Sequence, residues 1–157
     1  MKRVVGILLL LLTACTGSVP QVVKFDRETL LAQIATLPGV EISADQPLRF
    51  SYPEQSMFGT GAVLPLPGGV GLLDPLADFL QRNPALNWRV DVRVQTKYGI
   101  DYDQTLAEKR SELLATYLLS KGVTLTDLAF YPEAAVGTPL VFTLNLPAQS
   151  IKNGGNE

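Results

Sequence analysis

Trp88-Arg89-Val90-Asp91-Val92-Arg93-Val94-Gln95 alternates strictly between apolar and polar residues, and a polar loop and a long amphipathic segment, Asp103 to Lys121, follow it. Period two puts Trp88, Val90, Val92 and Val94 on one face of a strand and Arg89, Asp91, Arg93 and Gln95 on the other. Such a strand is half buried, with helices on one side and water or a partner on the other. In the segment that follows, Leu106, Leu113, Leu114, Tyr117 and Leu118 have the spacing of one helical face. Asp101 or Asp103 can cap its start, and Gly122 can end it in the left-handed conformation.

Working outward from this pair, Leu48 to Tyr52 also alternates and predicts a strand, with Val40 to Ile42 a shorter one before it. Asp26 can cap a helix carrying Leu30, Leu31, Ile34 and Leu37 on one side, and Pro38-Gly39 stops it. That stripe can dock on its own domain or on a partner. Met57 to Val70 is rich in glycine and proline and reads as an ordered loop. It lacks the Lys-Ser/Thr ending of a phosphate loop, so its glycines are read as structural. Asp74-Pro75 then predicts a helix start, with Asn83-Pro84 its end. Leu125 to Tyr131 predicts a turn and strand, Pro132 to Pro139 a loop, and Leu140 to Leu146 a last alternating strand.

Strand-helix-strand units imply parallel neighbours, with the last strand adding antiparallel. The predicted class is α+β: a two-layer sandwich of a mixed sheet with helices on one face.

The chain has 157 residues, enough for one domain with a substantial core. A net charge of −2 gives no basic excess for nucleic acid. There is no histidine and a single cysteine, which removes the usual general base near neutral pH and the commonest zinc ligand. No catalytic residue, metal site or cofactor is predicted. A cell-wall hydrolase would need a carboxylate pair in a cleft or a nucleophile with its base, and pairs such as Asp74 and Asp78 read as cap and surface residues.

The amino terminus is a secretory signal: Lys2 and Arg3, then the apolar run Val4 to Leu12, far short of the roughly 20 residues that span a bilayer. The run ends Leu12-Thr13-Ala14-Cys15, which resembles the bacterial lipobox. That resemblance implies cleavage before Cys15, acylation of the cysteine, and stable anchoring by more than one chain. Losing Lys2 and Arg3 takes the 13 basic residues to 11 against 15 acidic, a net charge of −4. Thr16 follows the cysteine where an Asp would retain an enteric lipoprotein at the inner membrane. The resemblance therefore implies the outer membrane, periplasmic face. The organisation expected is 1–14 signal peptide, 15–25 tether, 26–46 helix and linker, 47–146 folded domain, and 147–157 disordered tail.

The βαβαββ order of residues 47–146 and three stretches resemble the OmpA-like domain, the peptidoglycan-binding module of outer-membrane proteins, peptidoglycan-associated lipoprotein and flagellar stators. Met57-Phe58-Gly59-Thr60-Gly61-Ala62-Val63-Leu64-Pro65 resembles the family's segment before the first helix. Tyr102-Asp103-Gln104-Thr105-Leu106-Ala107-Glu108-Lys109-Arg110-Ser111 resembles its Tyr-Asn-x-x-Leu-Ser-x-x-Arg-Ala. Tyr117 to Val123 resembles the end of its second helix.

In that family an Asp and an Arg hold the zwitterionic end of the peptide stem, the ammonium on the carboxylate and the carboxylate on the guanidinium. Arg110 falls at the family arginine, but the family's Gly-His-Thr-Asp is here Val94-Gln95-Thr96-Lys97, so the carboxylate has become a lysine. Asp103, at the family's Asn, and Asp101 are the nearby substitutes. The candidate ligand residues are thus Arg110, Asp103, Asp101 and Thr96, with Cys15 as the lipid attachment site. The other reading of Arg110 is a solvated arginine or one paired along its helix with Glu108 or Asp103. Tyr98 and Tyr102 can rim a binding surface or simply cover the loop.

The resemblance implies a lipid-anchored scaffold in an envelope assembly such as a secretion or conjugation machine, with envelope proteins as partners and peptidoglycan binding weak or lost. Its alternative is a working peptidoglycan tether.

Overall fold

The computed structural model describes residues 26–43, 45–53 and 56–145. Cys15, the signal segment, the tether and the tail lie outside them. The elements run α1 (Arg27–Ala35), β1 (Glu41–Ser43), β2 (Arg49–Tyr52), α2 (Pro67–Arg82), β3 (Asn87–Val94), α3 (Ile100–Ser120), β4 (Leu128–Ala134) and β5 (Leu140–Asn145), with a 3₁₀ turn at Leu125–Asp127. The sheet order is β1-β2-β5-β3-β4.

The parallel pairing expected of a strand-helix-strand unit is found between β3 and β4, joined through α3. β2 and β3 are not neighbours. β5 lies between them, antiparallel to both. The last strand therefore completes the centre of the sheet rather than extending its edge.

The apolar face of β3 holds the core together. Trp88, Val90 and Val92 pack with Phe50, Leu140, Phe142 and Leu144 from the sheet, and with Leu73, Leu76, Phe79, Leu114 and Leu118 from the helices. Phe50 and Phe142 stack with centroids 4.7 Å apart, and Phe79 and Trp88 meet Phe50 edge-on at 5.8 and 5.2 Å. Such arrangements add to the area these rings bury. α1 docks on this core through Leu30 and Ile34, and Gln33 accepts a hydrogen bond from Asn83 at 2.9 Å. Its stripe is thus covered by its own domain, and Asp26 caps it as expected.

The structure corrects the polar face of β3. Asp91 is buried, not solvated. Arg89 and Arg93, two residues to either side, reach it at 2.7 and 3.3 Å. Arg89 also lies over the Tyr131 ring, 3.9 Å from its centroid, and Arg93 bonds Glu133 at 3.1 Å. The two guanidiniums thus pair the buried carboxylate from both sides.

Three boundaries also move. α2 begins at Pro67, not at Asp74, and takes in Gly68, Gly69 and Gly71, with Pro75 inside it. Pro67 occupies the first helical turn, where its missing N–H costs nothing. α3 starts after Gly99 (φ 104°) with no side-chain cap, and Asp101 and Asp103 lie within its first turn. β4 runs on through Pro132 to Ala134. Proline is tolerated there because β4 is an edge strand. Its open side is tied to α3 by Gln104, which donates to the Pro132 carbonyl and accepts from the Ala134 N–H. Gly122 ends α3 with φ 84°, as expected.

Candidate functional site

Two loops meet where β3 ends and α3 begins. The first is the glycine-rich turn before α2. Phe58 bridges to Pro65, Leu66 donates to the Met57 carbonyl at 2.8 Å, and Gly61 takes a positive φ of 71°. The second is Gln95 to Gly99. Between them lies a cavity of about 120 Å³ lined by Phe58 to Gly61, Arg93 to Thr96, Arg110, Gly137 and Pro139.

Arg110 reaches the cavity from α3 and is 5% exposed. Its Nε donates to the Ala62 carbonyl and its Nη2 to the Gly59 carbonyl, both at 2.8 Å. The guanidinium lies 4.7 Å from the Phe58 ring centroid. Burial lowers its pKa from the usual arginine value. Arg110 is therefore neither solvated nor paired with Glu108 or Asp103. It is a tie between α3 and the glycine loop.

Asp103 is also buried, and its carboxylate accepts from the Thr96 N–H at 2.9 Å and the Thr96 hydroxyl at 2.5 Å. The aspartate thus fixes the loop that leaves β3, and it does not line the cavity. Asp101 is exposed and equally absent from the lining. Of the four candidate ligand residues, the structure brings Arg110 and Thr96 to the cavity, ties Asp103 to Thr96 from behind, and leaves Asp101 outside. Lys97 is exposed, 5.5 Å from the Tyr98 ring centroid. Tyr98 packs edge-on to Tyr102, whose hydroxyl donates to the Gly61 carbonyl at 3.1 Å. The two tyrosines hold the glycine loop from outside.

Arg93 is a second guanidinium in the lining that sequence reasoning placed only on the open face. Its position one residue before the end of β3 was the available signal. No carboxylate lines the cavity. Arg93 is already paired with Asp91 and Glu133, so the lining offers the Arg110 guanidinium without a carboxylate to pair an ammonium beside it. Among the described residues no cluster of three or more metal-ligating side chains occurs, and no helix is long and apolar enough to cross a membrane.

The fold is that of OmpA-like domains. A MotB-like protein from Desulfovibrio vulgaris superimposes with a TM-score of 0.60 at 17% identity, over 74% of this chain and 89% of that one. The cell wall anchor of the T6SS from Pseudomonas aeruginosa gives 0.53 at 13% identity, over 74% and 93%. An outer-membrane protein from Borrelia burgdorferi gives 0.52 at 16% identity, over 69% and 97%. No family model matches the sequence, and no curated protein matches it.

Proposed function

We propose that this chain is a lipid-anchored lipoprotein of the bacterial outer membrane whose periplasmic OmpA-like domain is a structural component of an envelope assembly, its peptidoglycan binding weak or lost. The observation that carries this reading is the Arg110 cavity. The arginine is committed to the Gly59 and Ala62 carbonyls, no acid lines the space, and Lys97 stands where the resemblance calls for aspartate. A zwitterionic stem-peptide end finds a guanidinium in the lining and no carboxylate for its ammonium. The lipobox at Leu12 to Cys15 supports the anchor. The likeness in fold to a MotB-like protein and to a cell wall anchor of a secretion system supports the envelope setting.

A second reading, a working peptidoglycan tether, draws on Arg110 and Thr96, both of which line the cavity. Retention of the chain on purified sacculi separates the two. Little retention is expected of the native sequence, with a gain for Lys97→Asp, which restores a carboxylate at the position next to Thr96 where the resemblance calls for one. Strong retention of the native protein, competed by diaminopimelate, overturns the reading. Labelling with radioactive palmitate, lost in Cys15→Ser, tests the anchor.

A further inference from the structure

The carboxyl ends of α2 and α3 and the start of β3 enclose a second, larger cavity of about 310 Å³, at the opposite end of β3 from Arg110. Leu80, Leu86, Trp88, Val123 and Leu128 give it an apolar lining, and Asp127 is the one charged side chain there. The Asp127 carboxylate accepts from the Thr126 hydroxyl at 3.3 Å and pairs with no cation among the described residues.

The last strand ends beside this cavity. β5 runs antiparallel to β3 and finishes with Asn145 against Asn87, one residue from Leu86 in the cavity wall. Leu144 and Trp88 are paired on the face that carries the helices, so the next inward position along β5 belongs to residue 146. The far wall, Leu128 on β4, lies two strands across from β5, about 10 Å. Residues 147–157 read Pro-Ala-Gln-Ser-Ile-Lys-Asn-Gly-Gly-Asn-Glu. Ile151 is their one large apolar side chain, and Lys152, next to it, their one cation. The five steps from 146 to 151 span at most roughly 17 Å, enough to bring Ile151 to any wall of the cavity.

We propose that this cavity is the docking site of the chain's own carboxyl-terminal segment, residues 146–152. Leu146 continues the β3–β5 register opposite Leu86, and Pro147, which has no N–H to give, turns the chain off the ladder. Ile151 enters the apolar space beside Val123 and Leu128, and the Lys152 ammonium pairs with Asp127. Burial of Ile151 drives the contact, and the ion pair sets its direction. This departs from the disordered tail that the composition of residues 147–157 predicts. It is independent of the Arg110 cavity and of any cell-wall contact.

The experiment uses the full chain, one copy per lipid nanodisc, with isoleucine, leucine and valine methyls labelled for NMR, so that any contact arises within one molecule. Ile151→Val identifies the Ile151 signal, and a synthetic peptide of residues 146–157 gives its free position. The expected result is an Ile151 methyl displaced from the peptide value, with cross-peaks to the Val123 and Leu128 methyls. Ile151→Ser should move those two methyls and leave Val63 and Leu106, in the separate cluster near the Arg110 cavity, where they were. Lys152→Glu should lower the ratio of docked to free segment about twofold to fivefold, the range of an exposed ion pair, and Asp127→Lys in the same chain should restore it. Both tail substitutions lie beyond β5 and leave its pairing with β2 and β3 intact. The proposal is overturned if the Ile151 methyl keeps the peptide's position and lacks those cross-peaks, or if Ile151→Ser leaves Val123 and Leu128 unmoved. It is equally overturned if Lys152→Glu changes nothing, or if Asp127→Lys fails to restore what that change removes.

Discussion

Arg110 Nη2 lies 2.8 Å from the carbonyl oxygen of Gly59, a residue 51 positions earlier in the chain. With the second bond to Ala62, this contact makes the arginine part of the fold's framework as well as part of a cavity wall. Hydrogen bonds from a charged donor contribute about 1.5–3 kcal/mol each, and the carbonyls they leave behind are costly to bury unpaired. Arg110→Ala is therefore expected to destabilise the domain by about 2–4 kcal/mol in urea unfolding. Arg110→Lys should recover part of that, since an ammonium can serve one carbonyl but not both in fork geometry. An unchanged midpoint for Arg110→Ala would show that the bonds to the loop carry no stability.

Gly69 and Gly71 should respond in opposite directions to the same substitution. A Cβ on Gly69 would sit 2.5 Å from the Met57 carbonyl oxygen and 2.9 Å from its Cα, a backbone that cannot step aside cheaply. One on Gly71 meets nothing within 4 Å. Gly71→Ala is expected to stabilise by about 0.5–1 kcal/mol through helix propensity. Gly69→Ala is expected to destabilise by at least about 1–3 kcal/mol through overpacking. Thermal unfolding of the two variants side by side provides the measurement.

The Asp103–Thr96 pair predicts a local effect. Asp103→Ala removes the acceptor of both the Thr96 N–H and its hydroxyl, at a cost of about 1–3 kcal/mol. Asp103→Asn keeps one acceptor oxygen and should cost less. Amide hydrogen exchange at Thr96 and Tyr98 should quicken in Asp103→Ala while the Val90 and Val92 amides of β3 change only with global stability. Uniform quickening across both groups would contradict a loop-specific role.

Asp74 links α2 to α3, accepting from the Tyr117 hydroxyl at 2.7 Å and pairing with Lys121 at 2.6 Å. The hydrogen bonds from Lys121, then Tyr117, hold its pKa below the usual 3.8. A depressed carboxylate stabilises the fold fully above that unfolded value, and the contribution disappears as pH falls through the lower folded one. The same pairing raises Lys121, whose contribution is present below 10.5 and lost as pH rises through its folded value. Asp74→Asn should thus be less stable than the native protein at neutral pH, with the gap closing in acid and in high salt. A gap that stays constant to pH 2 would refute the linkage.

Local pattern was enough to find most of the elements, because backbone period and burial are coupled within a few residues. Trp88 to Val94 had to be a strand buried on one side, Leu106 to Leu118 a helix facing it, and Asp26 a cap. Charge and cysteine placement in the linear chain likewise set the expectation of an exported, anchored protein without catalytic histidine. The tertiary structure decided matters that depend on residues far apart. It placed β5 between β2 and β3. It made Pro67-Gly68-Gly69 a helix start, because the Met57 backbone presses on Gly69 and only glycine admits that approach. It buried Asp91 under Arg89 and Arg93, and turned Arg110 onto two loop carbonyls rather than toward its helix neighbours. A buried polar group takes whichever partner the fold brings within about 3 Å, and spacing along the chain does not encode that distance.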